Sequence, residues 1–127
     1  MKPFDLQVNG YAGADFCSSN LTAEQIHHAC EALAGDGVDG ILATLITDSV
    51  DSLSGKLANM VRLREQDELV RRMIVGFHVE GPFLNGSPGF IGAHAPEHGA
   101  HLGPLERAVD LAEEIVYLLR VLGKPVK

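Results

Sequence analysis

Gly40-Ile41-Leu42-Ala43-Thr44-Leu45-Ile46 is a short and almost continuously apolar run. That pattern suits a strand of a parallel sheet, which is covered on both faces and need not alternate. On its N-terminal side Ile26, Ala29, Cys30, Leu33 and Ala34 recur at helical spacing and form one apolar stripe. Thr22 and Gln25 precede them as a capping box, in which each side chain satisfies an orphan backbone amide of the first turn. Gly35 and Gly37 end that helix. On the C-terminal side Thr47, Asp48 and Ser49 can cap a second helix. Its Leu53, Leu57, Met60, Val61 and Arg64 keep helical spacing, with the Arg64 stem laid along the stripe.

Farther out, residues 4–9 alternate, with Phe4, Leu6 and Val8 on one predicted face and Asp5, Gln7 and Asn9 on the other. Residues 10–20, rich in Gly, Ser and Asn, read as a loop. Residues 73–80 form a third predicted strand, with Ile74, Gly76, His78 and Glu80 on one face and Met73, Val75, Phe77 and Val79 on the other. Residues 81–103 then make a loop far longer than the usual ~4 to 6 residues, a length often reserved for function. A last helix is expected from Pro104 through Leu105, Ala108, Val109, Ala112, Ile115, Val116 and Leu119, stopping at Gly123 and Pro125. Strand and helix alternate three times, which predicts an α/β fold with a parallel sheet, either open and doubly wound or part of a (β/α) barrel. No repeat, low-complexity tract or linker divides the 127 residues, so a single domain is expected.

Composition bounds the function. Ten basic and seventeen acidic residues leave a net charge of −7, which opposes non-specific binding to nucleic acid or anionic lipid, both polyanions. No apolar run approaches the ~18 residues of a membrane span, and the N-terminus shows no secretory signal, so a cytoplasmic location is the expectation. Cys17 and Cys30 match neither a disulfide framework nor a zinc knuckle and are expected to be reduced thiols.

In either architecture ligands bind beyond the C-terminal ends of the strands. Gln7 and Asn9 end the first predicted strand there, and His78 and Glu80 end the third. A carboxylate and an imidazole two residues apart on a strand point the same way, as groups sharing a metal or a substrate atom must. Plainer readings stand beside this one. Glu80 can cap the next loop or pair with a cation, His78 can be a hydrogen-bonded core residue, and Gln7 and Asn9 can tie down the turn that follows. His27 and His28 read as a solvated helix face, and His94, His98 and His101 fall in the long loop. No His-Glu-x-x-His, G-x-G-x-x-G or G-x-x-x-x-G-K-[ST] pattern occurs, which removes support for zinc-protease, dinucleotide and P-loop chemistry.

Three ordered motifs carry a resemblance. Asp5-Leu6-Gln7-Val8-Asn9-Gly10 with Gly13-Ala14-Asp15-Phe16 looks like the first barrel strand and loop of N-acetylglucosamine-6-phosphate deacetylases. Gly37-Val38 with Ala43-Thr44-Leu45-Ile46-Thr47 is similar to that family's second strand. His78-Val79-Glu80-Gly81-Pro82-Phe83-Leu84-Asn85, followed by Gly92-Ala93-His94 and Pro96-Glu97-His98, resembles its most distinctive motif. The resemblance implies an amidohydrolase-superfamily (β/α)8 barrel of the TIM type, of which residues 1–127 would supply about the first three β/α units as one incomplete catalytic domain. It implies removal of the acetyl group from N-acetylglucosamine 6-phosphate, giving glucosamine 6-phosphate and acetate in amino-sugar catabolism.

By position, Glu80 would be the metal-ligand carboxylate, and Ala93 and His94 would contact the sugar. Gln7 and Asn9 would stand where many amidohydrolases have a His-x-His pair, which implies one principal metal. Gln7, Asn9 and His78 would then support a ligand or an auxiliary ion. The ion expected is divalent, zinc first, with iron or another as alternatives; it would polarise the amide carbonyl and lower the pKa of bound water toward ~7. A catalytic zinc takes about three protein ligands. The family's two later metal-binding histidines and its acid/base aspartate have no counterpart in these residues, nor has the β-sandwich that precedes the barrel. The expectation is therefore a truncated or split product, inactive alone, that self-associates or docks with a complementary fragment through unpaired strand edges, in a family whose full-length members form homo-oligomers. Phosphate recognition needs local cations, and no cluster of them stands out in the sequence. Two other readings remain, an amidohydrolase acting on a different amide and a non-catalytic assembly module.

Overall fold

The computed structural model of the chain describes residues 3–81 and residue 97. The long loop expected beyond Gly81, the helix expected from Pro104, and Ala93, His94, His98 and His101 lie outside the described residues. Two compact units divide the chain, one of Met1–Ile46 with Asp51–Glu80 and one of Thr47–Val50 with Gly81–Lys127. The sheet belongs to the first.

In chain order the elements are β1 (Phe4–Val8), β2 (Gly10–Tyr11), β3 (Ala14–Asp15), α1 (Ala23–Gly35), β4 (Gly40–Ile46), α2 (Val50–Gln66), α3 (Glu68–Met73) and β5 (Ile74–Glu80). Three strands form a parallel sheet in the order β1-β4-β5, so strands successive in the alternation lie side by side. The fold is thus α/β with a parallel sheet, as the alternation of elements predicts. Among the described residues no helix is long and apolar enough to cross a membrane.

Local chemistry explains α1 from end to end. Gln25 N–H donates to Thr22 Oγ1 at 3.3 Å while Thr22 N–H donates to Gln25 Oε1 at 3.0 Å, closing the capping box. At the other end Val38 N–H reaches Leu33 O at 3.0 Å and Gly37 N–H reaches Ala34 O at 3.1 Å, the two bonds of a Schellman ending, with Gly37 at φ 87°. The expected stripe is buried through Ile26, Ala29, Cys30 and Leu33. Each large member of such a stripe contributes about 1.5–3 kcal/mol on leaving water.

β4 has the predicted bounds, and Ile41, Ala43 and Leu45 are wholly buried. Its neighbours depart from simple alternation. Along β1 the partners run Asp5 to Ile41 and then Val8 to Ala43, three steps against two, so β1 carries one extra residue. Within that stretch Asp5 Oδ1 accepts from Gln7 N–H at 2.9 Å, a local bond that competes with the ladder. The expectation that Phe4, Leu6 and Val8 share a face is therefore corrected. Val8 is buried, while Phe4 and Leu6 are 46% and 64% exposed. β5 is bulged too, since Ile41 pairs with Ile74 but Leu42 pairs with Gly76. The extra residue, Val75, moves Ile74 onto the face of Phe77 and Val79 rather than that of His78 and Glu80.

Three elements, β2, β3 and α3, are not predicted by the sequence pattern. Inside the expected loop of residues 10–20, β2 and β3 pair antiparallel across Ala12 and Gly13, both at positive φ (46° and 83°), as the tightest hairpins require. The Tyr11 hydroxyl donates to Asp36 just past α1, and that acceptor raises the phenol's pKa. The short helix α3 is capped by Asp67, whose side chain accepts from Val70 N–H at 3.1 Å. Met73, expected to open the third strand, closes α3 instead. Arg64 does more than cover the stripe: its Nε donates to the Ile74 carbonyl at 2.6 Å, at the bulged start of β5.

Candidate functional site

The C-terminal ends of β1, β4 and β5 bring Gln7, His78 and Glu80 onto one face. In a parallel ladder registered residues point the same way, so Thr44 shares a face with its partner His78, and Ile46 with its partner Glu80. Gln7 precedes Val8, which pairs with Ala43, and so Gln7 lies on the same face as Thr44, while Asn9 falls just past the end of β1. The bulge in β1 sets this phase.

Gln7 Nε2 donates to Glu80 Oε2 at 3.0 Å, a contact between residues 73 apart in sequence that passes across β4. An ionised carboxylate only accepts, so the amide must present its nitrogen. The effect is to fix the orientation of a half-buried carboxylate at the rim of β5. Gln7 thus reaches across the sheet rather than tying down its own turn. Asn9 does hold the turn, through its backbone: its carbonyl accepts from Phe16 N–H at 2.9 Å. Phe16, from the loop after β3, is wholly buried.

Behind Glu80 along β5, the half-buried His78 lies with Nδ1 3.4 Å from Thr44 Oγ1. Thr44 is 0% exposed, and its hydroxyl also lies 3.3 Å from the Leu42 carbonyl. Cys17 Sγ meets the Thr44 carbonyl at 3.6 Å. Thr44 falls within the second family-like motif, which gives it no role by itself. Its signal was a hydroxyl in an otherwise apolar run, since a buried hydroxyl must find partners.

Among the described residues no group of three or more His, Cys, Asp or Glu side chains is placed to hold a metal ion. The donors at the strand ends, Glu80 with its Gln7 bond and His78 two residues before it, fit one part of a divalent-metal site and not a whole ligand set. Ligating carboxylates are themselves normally hydrogen-bonded, as Glu80 is. A separate concavity of about 420 Å³, lined by Glu68, Leu69, Arg71 and Arg72, lies beside α3 and hence toward the N-terminal start of β5, not at the end that carries Glu80.

His27 and Cys30 make structural contacts away from the strand ends. His27, expected on a solvated face, lies with Nδ1 2.6 Å from Asp67 Oδ2 and links α1 to the cap of α3. Burial pushes the Cys30 thiol up to about 12, with the Asp67 charge adding to the shift. Both cysteines are free, as expected.

No protein-family profile matches the sequence, and no curated protein matches it. Solved structures do. The N-acetylglucosamine-6-phosphate deacetylase of Pasteurella multocida is 24% identical over 90% of this chain and 28% of its own, with a TM-score of 0.67. That of Thermotoga maritima is 24% identical over 83% of this chain and 26% of its own, at 0.62. A mutant of the Mycobacterium smegmatis enzyme, in complex with N-acetyl-D-glucosamine-6-phosphate, is 23% identical over 95% of this chain and 27% of its own, at 0.70. The chain therefore has the fold of an N-terminal portion of these deacetylases and spans little more than a quarter of their length.

Proposed function

We propose that this chain contributes the first three β/α units of a (β/α)8 amidohydrolase barrel that removes the acetyl group from N-acetylglucosamine 6-phosphate. The observation that carries the reading is the Gln7–Glu80 hydrogen bond, which holds a carboxylate at the strand ends of a sheet whose fold matches the deacetylases. A (β/α)8 barrel takes about 250 residues and places its active site at the C-terminal ends of its strands.

In this reading Glu80 supplies one ligand to a divalent metal, zinc first, and Gln7 keeps its carboxylate pointed at that ion. The metal, when bound, polarises the acetamide carbonyl and makes water a nucleophile near neutral pH. The remaining ligands and the acid/base aspartate come from outside the described residues, and Ala93 and His94 contact the sugar. His78 and Asn9 support the site from the ends of β5 and β1. The enzyme works as a homo-oligomer in the cytoplasm.

Acetate release from N-acetylglucosamine 6-phosphate, measured for the purified chain and for the longest polypeptide its gene encodes, tests the reading. Turnover that EDTA abolishes and zinc restores is expected from a polypeptide carrying the complete ligand set. Glu80→Gln should lower it by more than about 100-fold, the upper end for losing a group that merely orients a ligand. Full turnover and metal retention in Glu80→Gln would refute the role of Glu80. Faster turnover of a cyclic amide, or of another acetylated hexosamine phosphate, would refute the substrate.

A further inference from the structure

We propose that Thr44 is a positioning residue that holds His78 in its Nδ1–H tautomer, leaving a lone pair, not a proton, on Nε2 at the sheet face shared with Gln7 and Glu80. A threonine hydroxyl has one proton to give and lone pairs to receive with. The Leu42 carbonyl, 3.3 Å from Thr44 Oγ1, can only accept. The His78 Nδ1, at 3.4 Å, can do either, depending on where the imidazole proton sits.

Two arrangements are open to this trio. If the hydroxyl donates to Nδ1, the Leu42 carbonyl receives nothing from it and the imidazole carries its proton on Nε2; one hydrogen bond forms. If the hydroxyl donates to Leu42, its oxygen is left as an acceptor facing Nδ1, and an Nδ1–H supplies a second bond. Thr44 is wholly buried, so water cannot compensate the first arrangement for the bond it lacks. The second arrangement therefore gains about fivefold over the first, the worth of one net hydrogen bond, relative to the ring's own preference. An unprotonated Nε2 can accept a proton or a metal bond; a protonated one can do neither. The tautomer follows from geometry alone, and its use in catalysis rests on the deacetylase reading.

The test is long-range proton–nitrogen correlation NMR on the 127-residue chain labelled with ¹⁵N-histidine. Spectra are recorded near pH 8.5, roughly two units above the ordinary imidazole value of ~6.5. His78 is assigned by the signal lost in His78→Gln. The expected result is a protonated Nδ1 and a bare Nε2. Thr44→Val should lower the Nδ1–H to Nε2–H ratio by about fivefold, and Thr44→Ser should restore it. A proton on Nε2 in the parent chain, or an unchanged ratio in a folded Thr44→Val, overturns the proposal. Should Thr44→Val not fold, the parent spectrum decides, and Thr44→Ser must reproduce it. Neither metal nor substrate is present in the measurement, so failure of the deacetylase reading would leave this result standing, and the reverse holds too.

Discussion

Asp67 shows how much one side chain can hold. It caps α3 through Val70 N–H and meets His27 Nδ1 with its other oxygen. Desolvation by itself would raise its pKa, but the bond from Val70 and the contact with His27 together hold it below the ordinary value. A carboxyl lowered on folding stabilises fully above its unfolded value of ~3.9, and that contribution is lost as pH falls through the lower folded-state value. Asn caps a helix about as well as Asp. Asp67→Asn should therefore keep α3 capped while removing the charge, and the gap in melting temperature between parent and variant should shrink as pH drops from about 6 toward 3. Thermal melts across that range check it; a gap that stays constant would mean the charge contributes nothing. Neither partner was legible in sequence, because His27 and Asp67 are 40 residues apart and meet only when α1 packs against α3.

At the scale of elements, α1 and β4 were readable because their determinants are local. A capping box, a stripe and an apolar run involve residues within a turn or two of each other. The bulges were not readable, since alternation assumes one residue opposite one. Leu63 was missed on α2 although it is 2% exposed, because α2 is buried over more than the expected stripe. The same helix carries a weakness. Gly55 lies exposed in its interior, and a Cβ built there meets nothing within 4 Å. Gly55→Ala should stabilise the fold by about 0.5–1 kcal/mol, since alanine loses less backbone freedom on folding and nothing obstructs its methyl. Urea denaturation reads this directly, and no gain would show that the backbone at Gly55 departs from helical geometry.

For the molecule as a whole, the described sheet ends in β1 on one side and β5 on the other. Phe4, Leu6 and Val75 are its exposed large apolar side chains, and an alanine-sized group at Gly40 would touch both Phe4 and Val75, so part of this apolar surface is contiguous. Outer strands with apolar neighbours favour association. The purified chain is expected to self-associate with rising concentration, and the double variant Phe4→Lys, Leu6→Lys to do so less. Sedimentation velocity over a concentration series distinguishes this from a chain that stays monomeric.

What the amino-acid order determined by itself was the identity and succession of the main elements, along with the residue types gathered at the strand ends. These depend on hydrogen bonds and periodicities between near neighbours. The tertiary structure alone decided that Gln7 holds Glu80 and that Thr44 meets His78, because strand register, phased by an extra residue in β1 and another in β5, sets which distant side chains face one another.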